Sequence, residues 1–168
     1  MKELKPLDYQ LLFELMKDSH RSDRQLAKAL GISQPTVTRR RAMLEDSTIE
    51  GYTVVPKFGQ IGFELAAFTL MKTTLNHKKG KEKEDALGKL KEWYLKQPNV
   101  VAVLDGQGMG YDAVCVSLHE NYTSFAEFLR MQQSELSDVI LETESFQADL
   151  KPGVVIKPFH LKYLSKTR

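Results

Sequence analysis

The chain has 168 residues, 42% of them apolar, enough for one medium domain or two small ones with a buried core. Its net charge of +2 argues against a polycation that coats nucleic acid indiscriminately. A single cysteine, Cys115, excludes an intrachain disulfide and a cysteine-based zinc site. No apolar run reaches membrane-spanning length and no signal-peptide pattern opens the chain, so a cytoplasmic protein with no membrane partner is expected.

The first predicted helix covers Leu4 to Lys17. Leu7, Leu11, Leu12, Leu15 and Met16 recur at helical spacing, and Asp8 suits the positive end of the helix dipole. Ser22 to Glu45 then reads as two short helices around a tight turn. Ser22 and Gln25 have capping-box spacing, and Leu26, Ala29 and Leu30 mark an inward face. Gly31 fits a left-handed C-terminal cap. Ser33 is placed to cap the next helix, Pro35 falls in its first turn, and Val37 and Leu44 are its core anchors.

This helix-turn-helix pattern points to double-stranded DNA. Amides and guanidiniums reach base edges in the major groove, while hydroxyls, arginines and a helix N-terminus hold phosphates. Between His20 and Leu44 the basic residues Arg21, Arg24, Lys28, Arg39, Arg40 and Arg41 face one acid, Asp23, a local basic patch on a near-neutral chain. The candidate DNA contacts are Arg21, Arg24, Ser33, Gln34, Thr36, Thr38, Arg39, Arg40 and Arg41. Tyr52 joins them from a short β-ribbon, or wing, predicted around Ile49, Gly51, Val54 and Val55 and ended by Pro56. Tyr52 and Lys57 would touch the DNA backbone there; closure of the small core is the other reading of Tyr52.

Residues 1–57 therefore form a DNA-binding domain, with a hinge at 58–62. From Phe63 the apolar pattern has period two and is apolar on both faces, as in a strand covered twice. Residues 76–83 read as a charged loop, Glu84 to Lys96 as a helix, and Val100 to Leu104 as a short strand. A glycine-rich loop at 106–110 precedes a strand from Tyr111 to Leu118. A helix from Ser124 to Met131 and a strand from Val139 to Leu150 follow. The order β-α-β-β-α-β over residues 63–151 is ferredoxin-like, which makes the whole chain α+β: a winged helix-turn-helix followed by a ferredoxin-like domain. Such a sheet carries both helices on one face and leaves the other for a second subunit. Residues 152–168 form an extension, expected as an extra strand or arm against this or a partner subunit.

The collinear set Asp8, Leu11-Leu12, Ser22, Leu26, Gly31, Ser33, Arg40, Leu44-Glu45, Gly51-Tyr52 and Tyr111-Asp112 resembles the Lrp/AsnC (feast/famine) family of bacterial and archaeal regulators. The GQGMG loop and the C-terminal extension point to an archaeal relative. The resemblance implies a dimer formed through the C-terminal sheets, with tetramers or octamers built from it, and an amino-acid or other small effector. Carried over by position, the effector residues are Gly108, Gly110, Tyr111 and Asp112, with Thr143 and Ser145 opposite. A carboxylate there suits an α-ammonium, and glycine N–H groups suit an α-carboxylate. A tight strand-to-strand turn is the other use for those glycines. The sequence departs from the family in reading GQGMGYD at this loop, in carrying Arg41 at an ordinarily apolar position, and in a shorter segment before the ribbon.

Two alternatives to an effector-modulated regulator follow. One is an architectural DNA-binding protein indifferent to small molecules. The other, remote, is an enzyme like the sirohaem decarboxylases, which share this layout. The stretch Val100 to Asp105 lacks the histidine those enzymes need, and His20, His77, His119 and His160 are scattered without catalytic or metal spacing. Cys115 sits in an apolar strand as a core thiol. No catalytic residue, metal or cofactor is expected.

Overall fold

The computed structural model describes residues 3–151 and 153–166. Residues 152, 167 and 168 of the extension lie outside the described ones. The chain divides into two compact units, residues 1–55 together with 157–168, and residues 56–156. Among the described residues no helix is long and apolar enough to cross a membrane.

The first unit has three helices, α1 (Pro6–Lys17), α2 (Asp23–Leu30) and α3 (Gln34–Ser47). They enclose Leu11, Leu15, Leu26, Ala27, Val37 and Leu44, all under a tenth exposed. Ala27 is buried where the helical spacing had pointed to Ala29. Of the two readings of the extension, strand or arm, the described residues contain no strand: Leu161–Lys166 is a 3-10 helix packed on α1 of the same chain. The predicted wing is absent, since residues 49–57 form no strand. A ribbon needs a second strand to take its backbone hydrogen bonds, and residues 49–55 find none.

The second unit opens with a 3-10 turn at Phe58–Ile61, where a hinge was expected. It then builds β1 (Leu65–Thr73), α4 (Gly80–Leu95), β2 (Val100–Gly108), β3 (Tyr111–His119), α5 (Tyr122–Glu135) and β4 (Ile140–Asp149). All pairings are antiparallel and the order is β2-β3-β1-β4, the split β-α-β of the ferredoxin-like arrangement. Helix α4 begins four residues before Glu84, so Gly80 to Lys83 are helical rather than loop.

Alternation along β1 sorts the sheet faces. Ala67, Thr69, Met71 and Thr73 are buried with Cys115, and Met71 and Cys115 share a core with Ala86, Leu90, Trp93 and Tyr94 of α4 and Phe128 of α5. Within it the Gln132 amide donates to Tyr94 Oη at 2.5 Å and Tyr94 Oη donates to Met71 Sδ at 2.8 Å. Phe68 and Lys72 of β1 and Phe146 of β4 are exposed on the other face. Cys115 is fully buried, and burial pushes its thiol up to about 12, leaving it no thiolate at neutral pH.

His119 is 3% exposed between Phe125 and Phe128, with ring centroids 5.2 and 5.3 Å away. Its Nε2 lies 2.8 Å from Ser117 Oγ. Burial penalises the charged imidazole and lowers its pKa below the usual value of 6.5. The unfolded chain therefore binds more protons just below pH 6.5, so this stability is complete above that pH and declines as pH falls. Thermal melts should show a Tm that drops between about pH 7.5 and about pH 5.5, and a smaller drop in His119→Gln.

Candidate nucleic-acid interface and effector site

The turn between α2 and α3 is built by local chemistry. The Gln25 N–H donates to Ser22 Oγ at 3.3 Å while the Ser22 N–H donates to Gln25 Oε1 at 2.8 Å, closing the capping box. Gly31 ends α2 at φ 66°, a left-handed conformation that a side chain resists. Ser33 occupies the N-cap position of α3, yet its hydroxyl makes no cap bond and lies 2.8 Å from Thr36 Oγ1. Pro35 removes one of the N–H groups a cap would serve, and the Thr36 N–H is already bonded to the Ser33 carbonyl.

The basic patch divides into two sets. Arg40 turns inward: its Nη1 donates to Asp8 Oδ1 at 2.5 Å, and Asp8 is 2% exposed. Arg21 pairs with Glu14. Arg41 reaches Glu45 at 3.0 Å and Asp23 at 3.2 Å, and Thr38 donates to Asp23 Oδ2 at 2.6 Å. These four side chains, taken from the sequence as DNA contacts, brace the three helices against one another. Asp8, Glu14 and Glu45 lie outside the stretch whose charge was counted, and folding brings them in.

Arg24, Lys28 and Arg39 are exposed and, among the described residues, have no ion-pair or hydrogen-bond partner. Gln34 is exposed at the first turn of α3, and Thr36 is half-buried beside Ser33. Lys28, four residues after Arg24 and thus on the same face of α2, was not among the sequence candidates; the i, i+4 spacing would have found it. Tyr52 neither closes the core nor stands on a wing. It is 47% exposed, its hydroxyl donates to Glu45 at 2.8 Å, and Arg41 lies 5.5 Å over its ring. Its phenol pKa is raised by partial burial first and by Glu45 next.

The effector candidates sit on and beside the β2–β3 hairpin. Gly108 pairs with Tyr111, so only Met109 and Gly110 make the turn. Both have positive φ, 56° and 84°, as a type I′ hairpin turn requires. Gly108 ends a strand that runs on through the predicted loop. Asp112 Oδ1 accepts from the Thr73 N–H at 2.9 Å, and Oδ2 accepts from Thr73 Oγ1 at 3.2 Å and Asn76 Nδ2 at 2.9 Å. Tyr111 Oη donates to Glu142 at 3.4 Å. Partial desolvation first, then Glu142 and Glu144, push its phenol up to about 12. Thr143 lies across β1 from Ala113, with Met71 between, and Ser145 shares a 2.8 Å hydroxyl contact with Thr69. The sheet thus sets the two groups within a few rungs of each other, with Asp112 already engaged.

Residues 6–45 match the AsnC-type helix-turn-helix domain. The chain is 33% identical over 129 residues to an uncharacterized HTH-type transcriptional regulator of Pyrococcus horikoshii, covering 76% of this chain and 80% of that protein. It is 30% identical over 126 residues to the HTH-type transcriptional regulator Ptr1 of Methanocaldococcus jannaschii, covering 73% and 77%. The chain belongs to the Lrp/AsnC family. Its fold matches a transcriptional regulator of Neisseria meningitidis solved as a complex with L-Met, at TM-score 0.75 and 20% identity over 96% of this chain and 99% of that one.

As an Lrp/AsnC protein, the chain is a DNA-binding transcriptional regulator, and the division of its arginines into paired and unpaired can be tested. Arg40→Ala strands the buried Asp8 carboxylate and should cost about 3 kcal/mol of stability, the low end for a broken buried pair because Arg40 is partly exposed. Arg39→Ala should leave the melting temperature within about 1 °C of wild type, as surface changes do, and weaken DNA binding. Equal losses of stability in both variants would contradict this division.

Proposed function

We propose that this Lrp/AsnC regulator works in the cytoplasm as a dimer that reads a specific operator and responds to an amino acid. The observation that carries DNA reading is the group of unpaired cations, Arg24, Lys28 and Arg39, flanking the turn from α2 to α3 with Gln34 at the start of α3. Such groups are solvated and unengaged in the free protein, so phosphate contacts gain counterion release without breaking an internal pair. Gln34 and Arg39 are the side chains suited to base edges.

The dimer reading rests on the sheet face opposite α4 and α5. Phe146 is 71% exposed there, Phe68 41% and Leu104 57%, beside half-buried Leu70, Val114 and Val116. An apolar face of that composition on a soluble protein calls for a cover, and a two-fold axis lets one sheet cover its copy. The relative from Neisseria meningitidis was solved with L-Met, which supports an amino acid as effector.

A ligand-independent, architectural role has its own observation: Gly110 serves the hairpin turn and Asp112 already holds three donors. Amino acids would then leave the protein's melting temperature unchanged.

Fluorescence anisotropy with DNA from upstream of the protein's own gene, and an unrelated duplex as control, tests the reading at two salt concentrations. Binding to the upstream DNA should outlast the control as salt rises. Arg24→Ala and Lys28→Ala should each reduce the salt slope by about 1. Phe146→Asp should shift sedimentation from dimer towards monomer; an unchanged sedimentation coefficient would remove the sheet-face dimer.

A further inference from the structure

The chain after β4 does not stay with the sheet. Residues 157–168 belong to the same compact unit as α1, α2 and α3, so the sheet domain is inserted into the DNA-binding unit and joined to it at both ends. Within that unit Leu161–Lys166 packs on α1. Helix α1 carries two stripes. Leu11 and Leu15 share a core with α2 and α3. Tyr9, Phe13 and Met16, at spacings of four and three, form a second, half-buried stripe, with the Tyr9 and Phe13 rings 6.4 Å apart. Helices α2 and α3 take the first stripe, which leaves the second for the C-terminal segment.

This segment is folded on itself and fixed at its far end. Lys157 Nζ lies 4.3 Å from the centroid of the Tyr163 ring, and the Lys162 N–H donates to His160 Nδ1 at 3.0 Å. At the end of β4 the Leu150 N–H donates to the Glu64 carbonyl at 2.8 Å, and Lys151 pairs with Glu64 at 3.4 Å. The docking itself is shallow. Leu161 and Leu164 stay half exposed, and Phe159 mostly so. A segment that keeps so much apolar surface in water opens far more readily than the fold as a whole. Yet the helix it rests on is central to the unit, because α1 carries Asp8, and Asp8 holds Arg40 of α3.

We propose that the C-terminal segment is a regulatory strap. Docked, it steadies α1 and, through Asp8 and Arg40, the setting of α3. Released, it lowers affinity for DNA. Because its far end is fixed at β4, docking is a step by which a change in the sheet domain reaches α3 without passing through residues 56–62. Linkage makes the coupling reciprocal, so DNA favours docking in turn. The inference rests on the reading of α3 as the helix that meets DNA.

The test uses the full chain and its variant Tyr163→Asn with Leu164→Asn, which removes apolar surface from the 3-10 helix and leaves the charge unchanged. Circular dichroism checks that the variant folds. Hydrogen exchange read by mass spectrometry should be at least about tenfold faster over α1 in the variant, with β1 and β3 unchanged. Fluorescence anisotropy with the upstream duplex should show binding at least about fivefold weaker at an unaltered salt slope, since no cation is lost. In the wild type, which needs no variant to fold, DNA should slow exchange over residues 157–164 at least about fivefold. Unchanged exchange over α1 in the variant would overturn the strap. Faster exchange over α1 with unchanged DNA affinity would make the segment a structural brace only and overturn the coupling, as would tail exchange indifferent to DNA. Equal binding of the wild type to both duplexes removes the operator reading alone, and the fivefold loss, read on either duplex, still decides the strap.

Discussion

Asp8 is the constraint on which the DNA-binding unit depends. Its carboxylate is 2% exposed and takes two donors, the Lys5 N–H at 2.8 Å and Arg40 Nη1 at 2.5 Å. The first bond closes the start of α1. The second ties α1 to the middle of α3, across 32 positions of sequence. A buried carboxylate is costly to desolvate and tolerable only when its lone pairs are occupied. The pair therefore does less to add stability than to exclude other arrangements: any packing of α3 that rotates Arg40 away leaves a naked charge in the core. Around it Leu11, Leu26, Val37 and Leu44 supply the apolar area that makes folding favourable at all.

That constraint also explains what could be read in the sequence and what could not. Local signals were legible because they are complete within a few residues: the Ser22–Gln25 box, Gly31 as a left-handed cap, the leucine spacing of α1, and the period-two pattern of β1. The order of elements in the sheet domain followed from the same periodicities. The roles of the arginines were not legible, since a guanidinium looks the same in sequence whether it faces phosphate or a carboxylate 32 positions away. Counting charge from His20 to Leu44 found only Asp23, while folding delivers Asp8 to Arg40, Glu14 to Arg21 and Glu45 to Arg41. Three of the six cations are neutralised by partners that the local window could not contain.

The missing wing has a comparable cause. Ile49, Tyr52, Val54 and Val55 carry strand-like propensity, but propensity measures fit to a pleated surface with neighbours and fails without them. With no pairing partner Tyr52 takes the nearest polar surface, at Glu45 and Arg41. Conversely, Gly80 to Lys83 looked like loop because lysine, glutamate and glycine lack an apolar period. They are helical because the apolar stripe of Ala86, Leu90, Trp93 and Tyr94 anchors α4 to the sheet and extends it backwards by solvated turns.

The sheet domain shows how folding limits which groups remain for regulation. At the hairpin, Met109 and Gly110 are required by a two-residue turn and Asp112 by the end of β1. These residues hold the strand ends in place and have little bonding capacity left. Under α4 the situation is reversed. There the core is closed by Leu90, Trp93 and Tyr94, so Lys83, Lys91 and Asp105 carry charge that folding does not need. In a protein whose net stability is a small difference between large terms, a ligand gains most from groups that are positioned by the fold and not already engaged by it.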